Sequence, residues 1–375
     1  MGKPLDEIAS ELRAAHKKVQ LIYAFNGMGK TRLSRKFKGL IAPKQTGTEN
    51  SGFEEATRAK ILYYNAFTED LFFWDNDLEG DAEPKLKIHA NNFTDWVLRV
   101  QGQDQNVIAN FQRYADNKLT PQFSPNFDEV VFSFQRGTDD PTENVKISRG
   151  EETNFIWSIF YTILEQVIAI LNVPEVAERE TDQFNQLQYV FIDDPVSSLD
   201  ENHLIELGVN LAALISSSTS PDLKFVITTH NPLFYNVLAN ELGTRGGYLL
   251  QRLEDGTFDL IEKMGDSNSS FSYHLFLKQT LELAVAEERI QKYHFTLLRN
   301  LYEKTASFLG YPRWADLLPD DKTAYFRRIV QFTSHSTLSG QIVAEPTPEE
   351  KQIIRLLLTH LCDNYRFWRL EEQDA

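Results

Sequence analysis

Hydrophobic positions follow two successive patterns along the chain. In the first, short apolar runs alternate with longer amphipathic stretches. Val19–Phe25 reads as a strand that leads through a glycine turn into a helix starting near Lys30, and Lys60–Ala66 is a second strand. Residues 67–145 mix aromatic, acidic and Asn/Pro-rich segments around one further strand, Glu129–Phe134, as an elaborated insertion would. A long apolar helix follows Gly150, and an acidic, Gln-rich linker follows at Pro174–Gln186. Tyr189–Ile192 and Phe225–Thr228 are continuous apolar runs suited to buried parallel strands, with the amphipathic helix Glu201–Ser216 between them. A hairpin, Tyr248–Glu262, turns at Asp255–Gly256. Strands that alternate with helices in this way predict an α/β core.

After the hairpin the pattern is helical: Leu275–Arg289, Tyr293–Leu309, Asp321–Gln331 and Pro348–Trp368. On Tyr293–Leu309 the apolar stripe is Leu297, Leu298, Leu301, Tyr302, Phe308 and Leu309. The expected organisation is an α/β domain over residues 1–263 and an all-α domain over 264–375. No internal repeat, low-complexity tract or sustained heptad arm interrupts it.

Composition narrows the classes. The 375 residues suffice for one large and one smaller domain, and 42% apolar with 25% charged residues is ordinary for a soluble globular protein. The single cysteine, Cys362, supports neither a disulfide framework nor a cysteine zinc site, which fits a reducing cytoplasm. The first residues have no apolar signal-peptide core. Phe155–Val173 is interrupted by Glu165 and Gln166, so a buried helix is expected there and no membrane association. A net charge of −16 argues against broad nonspecific nucleic-acid binding. From Lys263 onward, however, 14 Lys/Arg stand against 15 Asp/Glu, so the acidic excess lies in the first part and the tail can carry a local basic face.

The strand–turn–helix around residue 25 carries Ala24-Phe-Asn26-Gly27-Met-Gly29-Lys30-Thr31, a P-loop in its proper context. Gly27 and Gly29 let backbone N–H groups close around phosphates, Lys30 reaches the β- and γ-phosphates, and Thr31 holds Mg²⁺. Ala24 replaces the usual first glycine. Four apolar residues then two carboxylates, Tyr-Val-Phe-Ile-Asp193-Asp194, form a Walker B pattern: Asp193 orders the metal's water shell and Asp194 polarises the attacking water. ABC proteins usually place Glu at the second position. Ser197-Ser198-Leu-Asp200 resembles the D-loop, and His230 ends a strand where the family's switch histidine meets the γ-phosphate. Ile147-Ser148-Arg-Gly150-Glu151 resembles the ABC signature, whose Ser148 and Gly150 present donors to a nucleotide held by another subunit. These ordered motifs identify an ABC-type P-loop ATPase or GTPase; the P-loop reads phosphates, so ATP and GTP fit it equally. One set of motifs implies head-to-tail self-association.

In the helical part, Arg299 and Glu303 lie four apart, side by side, opposite the apolar stripe. Taken alone they are a solvated ion pair. With His335, in the polar stretch Thr333–Thr337, they supply the groups for metal-independent RNA cleavage. Glu303 or His335 takes the 2′-OH proton, the other protonates the leaving 5′ oxygen, and Arg299 stabilises the phosphate charge.

At these residues the chain resembles the PrrC anticodon nucleases over nearly its full length. The resemblance is carried by Leu21–Thr31, Ile147–Ile159, Tyr189–Leu204, Gly265–His274, His294–Tyr311 and Phe332–Leu338. The family's Arg-x-x-x-Glu and downstream His fall on Arg299, Glu303 and His335. The resemblance implies cleavage of tRNA-Lys 5′ to the wobble base, with 2′,3′-cyclic phosphate and 5′-OH ends. It also implies silencing by a type I restriction–modification complex until phage infection, activation linked to GTP hydrolysis, and stabilisation by dTTP. Lys263–His274 matches a segment tied to anticodon recognition, with Asp266 at the modified wobble base and Ser267 and Asn268 beside it. Phe271 and Tyr273 either stack on loop bases or belong to the core. Two other readings remain: a DNA-repair or structural-maintenance ATPase whose helical tail only oligomerises, and an ATPase subunit gating a separate effector.

Overall fold

The computed structural model describes residues 2–43, 60–65, 72–75, 84–89, 92–115, 117–135, 142, 144–196, 201–244, 246–253, 255–264, 273–321, 325, 329 and 346–367. The chain divides into two compact units, Met1–Asp266 and Ser267–Ala375.

The first unit is built on a six-stranded sheet made of β1 (Val19–Tyr23), β2 (Ile61–Tyr64), β7 (Tyr189–Asp193), β8 (Lys224–Thr229), β9 (Gly246–Arg252) and β10 (Phe258–Met264). Its order is β10-β9-β1-β8-β7-β2. All neighbours are parallel except the hairpin pair β9 and β10. The apolar runs identified from the sequence are the central strands, buried on both faces as parallel strands must be. β8 lies between the strand that enters the P-loop and the strand that ends in the acidic pair. This order, with the P-loop after β1, makes the unit an ABC-type P-loop α/β fold. Helices α1 (Leu5–Ala14) and α2 (Lys30–Ile41) pack together on the sheet. The first had no counterpart in the reading of the sequence. Leu5, Ile8, Ala9 and Leu12, spaced three and four apart, give it a buried face.

The stretch read as an insertion with one strand contains a second sheet of four antiparallel strands. These are β3 (Phe72–Asp75), β4 (Lys85–Ile88), β5 (Leu119–Phe123) and β6 (Glu129–Phe134), in the order β3-β4-β6-β5. A short helix Asn92–Asp95, a π-helical turn Trp96–Val100 and α3 (Asp104–Tyr114) connect its halves.

The long apolar helix is α4 (Arg149–Leu171). Of the described helices it alone is long and apolar enough to cross a membrane, yet 83% of its most apolar window is buried within the protein. A helix apolar all round needs partners on all sides, and α4 has them. Phe155 meets Phe72, Phe111, Phe123 and Phe132, whereas Trp157 and Phe160 meet Tyr64 of the six-stranded sheet. Residues 174–186, expected as a linker, are tied down by the Arg179 side chain, which donates to the Val173 carbonyl, and by Phe184 against Trp96. α5 (Glu201–Ser217) lies where expected, and α6 (Pro232–Glu241) follows β8, with Asn231 capping its first turn.

The described part of the second unit consists of α7 (Tyr273–Ala286), α8 (Tyr293–Leu309), a 3₁₀ turn Trp314–Leu317 and α9 (Pro348–Asn364) around one apolar cluster. The helix expected over Asp321–Gln331 falls mostly outside the described residues; Tyr325 and Ile329 are helical. α9 stops at Asn364, short of Trp368, because Arg366 turns left-handed (φ 54°) and the Tyr365 and Phe367 amides close back on Leu361 and Cys362. The apolar stripe of α8 needs correction at its end. Leu298, Leu301 and Tyr302 are buried, but Phe308 and Leu309 are 87% and 45% exposed. The last turn runs past the cluster to Gly310, so the periodicity outlasts the core that it would serve.

Replacing Phe155 by Ala removes the ring shared by four aromatic neighbours. It should destabilise the first unit by about 3–5 kcal/mol, seen as a lower urea midpoint in denaturation followed by circular dichroism.

Candidate functional site

The first cluster of expected residues forms at the carboxyl ends of β1, β7 and β8, where side chains from three parallel strands converge. β1 delivers the chain into the loop, and α2 leaves it with Gly29 as its N-cap. Gly27 and Gly29 have φ of 81° and 93°, the left-handed region that favours glycine. Gly29 is doubly constrained, since a Cβ there would lie 2.8 Å from the Phe258 ring. Ala24 does not have a positive φ, so the absent first glycine costs the loop nothing.

Lys30 is buried, and its Nζ donates to the Ala24 carbonyl (3.2 Å) and to Asn26 Oδ1 (3.3 Å). It also pairs with Asp194 Oδ2 at 3.5 Å. The other Asp194 contacts come from the end of β8. His230 Nδ1 lies 2.6 Å from Oδ2, and the His230 amide and Thr229 hydroxyl donate to Oδ1 at 3.2 and 3.3 Å. Burial pushes the Asp194 carboxyl up, but the His230 hydrogen bond and the Lys30 charge outweigh it, so its pKa lies below the ordinary value. Asp194 has φ 55°. Among non-glycine residues, Asp tolerates this region well, which gives a backbone reason for Asp where ABC proteins usually carry Glu.

Asp193 behaves oppositely. It is 1% exposed, and desolvation raises its pKa against the hydrogen bonds from Thr228 and Thr31. Thr228 Oγ1 donates at 2.5 Å and Ser34 Oγ at 3.3 Å. The Thr31 hydroxyl and Asp193 carboxylate are thus adjacent hard oxygen donors, which suits Mg²⁺ shared with phosphate oxygens. Sequence reasoning missed the shell behind them: Asn65 Nδ2 donates to the Tyr63 hydroxyl, which meets Ser34 Oγ at 2.8 Å. Ser34, one helical turn after Lys30, was the available signal.

The signature residues open α4. Ser148 is its N-cap: its hydroxyl accepts from the Glu151 amide (3.3 Å), while Glu151 Oε2 accepts from the Ser148 amide (2.6 Å). Ser148 is exposed, and Gly150 lies in the first turn. The buried Glu152, not anticipated, accepts from Arg149 at 2.9 Å and from Trp74 Nε1 of β3 at 3.1 Å. The D-loop, with Ser198 and Asp200, lies outside the described residues.

In the second unit, Arg299 Nε donates to Glu303 Oε1 at 2.8 Å on α8, and both side chains are more than a third exposed. His335 lies outside the described residues, as do Asp266, Ser267, Asn268 and Phe271, and of Tyr273 only the backbone, at the start of α7, is described. Among the described residues no group of three or more His, Cys, Asp or Glu is arranged to hold a metal.

No family model matches the chain. A protein of Escherichia coli named "Anticodon nuclease" is 60% identical over an alignment of 397 residues that covers 100% of both chains. Solved structures with similarity include an SMC head bound to the C-winged helix domain of ScpA, 10% identical with a TM-score of 0.34, covering 67% of this chain and 91% of that one. The SMC head domain from Thermotoga maritima is 12% identical with a TM-score of 0.28, covering 66% and 90%.

Because the Asp194 pKa is depressed, its stabilising contribution is complete above the ordinary value of 3.8 and is lost as pH falls through the lowered one. Asp194→Asn should therefore cost the nucleotide-free protein about 1–3 kcal/mol near neutral pH. Thermal melts of the two proteins should converge as the solution is acidified past that point.

Proposed function

The chain belongs to the PrrC-type anticodon nuclease family, and from this we propose that it is a nucleotide-regulated endoribonuclease that cuts tRNA in the anticodon loop. The observation that carries the reading is its 60% identity over the full length of a protein named for that activity. The substrate in this proposal is tRNA-Lys, cut 5′ to the wobble base as a cytoplasmic antiviral defence. A type I restriction–modification complex keeps the nuclease silent, GTP or ATP hydrolysis activates it, and dTTP stabilises the active form.

In the nucleotide half, Lys30 and the amides at Gly27 and Gly29 bind the β- and γ-phosphates. Thr31 and Asp193 would hold Mg²⁺, which when bound would supply positive charge against those oxygens. Phosphate oxygens replace Asp194 as the partner of Lys30 and His230, and Asp194 is then able to orient the attacking water. Ser148, Gly150 and Glu151 act on the nucleotide of a second copy, with Ser198 and Asp200 at the shared seam. The exposure of Ser148 supports this role.

In the nuclease half, the 2′ oxygen attacks phosphorus and the bond to O5′ breaks. The 2′-OH proton passes to Glu303 or His335, and the other of the two protonates O5′. The products are a 2′,3′-cyclic phosphate and a 5′-OH. Arg299 offsets the charge that grows on the phosphate. The Arg299–Glu303 contact supports this division of roles, since it places a donor fork beside a carboxylate. Asp266, Ser267, Asn268, Phe271 and Tyr273 read the anticodon.

Purified protein should cut tRNA-Lys in the presence of GTP and Mg²⁺ and leave cyclic-phosphate ends. His335→Ala should lower cleavage by about 10²–10⁴-fold with nucleotide hydrolysis unchanged. Lys30→Ala should impair nucleotide binding and block activation. Wild-type protein that hydrolyses nucleotide but leaves tRNA intact would favour the DNA-repair reading instead.

A further inference from the structure

Among the described residues, Arg299 meets a carboxylate and an indole. Glu303 takes its Nε at 2.8 Å, and its guanidinium carbon lies 5.9 Å from the centroid of the Trp314 ring. Trp314 opens the 3₁₀ turn after α8, and its ring packs half-buried against the helical cluster. Behind the ring stands Tyr302, met edge-on at 6.3 Å. Tyr302 is fully buried, and its hydroxyl donates to the Leu357 carbonyl of α9 at 2.9 Å. The indole is therefore set in place by a residue anchored to a second helix, and the guanidinium lies within cation–π reach of it.

An exposed Arg–Glu pair four apart, in the weaker Arg-first order, does little to restrict a side chain with as many rotamers as arginine. A tryptophan ring offers the strongest π-face for a cation, and contact through that face uses none of the guanidinium's N–H donors. Together, the carboxylate and the ring restrict the side chain more than the carboxylate alone would.

We propose that Trp314 is the positioning residue of the RNA-cleavage site, a platform that holds the Arg299 guanidinium in the orientation that meets the scissile phosphate. The inference rests on the anticodon-nuclease reading of Arg299. In that site a small misplacement of the donor fork is enough to lower the rate without loosening substrate binding.

The test compares Trp314→Leu and Trp314→Phe in the full-length protein. It measures cleavage of an anticodon stem-loop of tRNA-Lys at saturating RNA, binding of the same RNA with a 2′-deoxy nucleotide at the cut, and Tm. Leu keeps an apolar side chain, smaller than the indole and without a π-face, and Phe keeps an aromatic face. Trp314→Leu should lose about 10- to 100-fold in rate, with Tm and binding of the deoxy RNA retained, and Trp314→Phe should recover most of the rate. Wild-type cleavage by Trp314→Leu overturns the inference, as do losses in both variants that simply track a lowered Tm. Arg299→Ala separates the levels. If it cleaves as fast as wild type, the nuclease reading of that residue fails, and the inference fails with it. If it is inactive while Trp314→Leu is fully active, only the role of Trp314 is lost.

Discussion

A lysine ammonium buried at the mouth of a parallel sheet must be neutralised, and the first unit is organised around that requirement. Lys30 sits at the start of α2, where the helix dipole already disfavours a cation. Its charge is met by two oxygens of the loop itself and by Asp194 at the end of β7. Asp194 reaches that place only on a left-handed backbone, and His230 at the end of β8 holds its other side. Three adjacent strand ends are thereby joined through one carboxylate. Asp193, one residue earlier, points into the interior and is raised in pKa by the same burial that its neighbour overcomes. Two consecutive aspartates thus acquire opposite character because the second, turned by its left-handed backbone, pairs with His230 and Lys30.

Much of this was legible in the sequence because a two-sided parallel sheet writes itself as unbroken apolar runs. β7 and β8 needed no partner information, and the glycines between β1 and α2 carried their own explanation. The second sheet was harder to read. β4 is four residues of Lys-Leu-Lys-Ile, too short for alternation to separate strand from loop. β5 contains Pro121, which argues against a strand except at an edge, and β5 is an edge of its sheet. α1 showed a usable stripe at Leu5, Ile8, Ala9 and Leu12, hidden by the charged residues between them. The contact of Glu152 with Trp74 spans 78 positions and could be found only in three dimensions.

The helical unit reversed the balance. The spacing of Arg299 and Glu303 was plain, yet spacing alone made them an ordinary surface pair. Their distinguishing feature is the indole beneath the arginine, contributed from beyond the end of the helix. The stripe on α8 misled in the other direction, because a helix can keep its rhythm after its neighbours have ended. Periodicity reports which face would be covered, and the packing partners decide how far along the axis that cover extends.

The reciprocal cap at the start of α4 carries a consequence of its own. Ser148 and Glu151 satisfy one another's backbone amides within a single copy of the chain, so this corner is already rigid. A surface that docks on this cap meets backbone already tied by hydrogen bonds, so little configurational freedom of those residues is surrendered on contact. If the proposed seam between two copies forms at this corner, less of its binding free energy is lost to ordering than at a corner without such a cap.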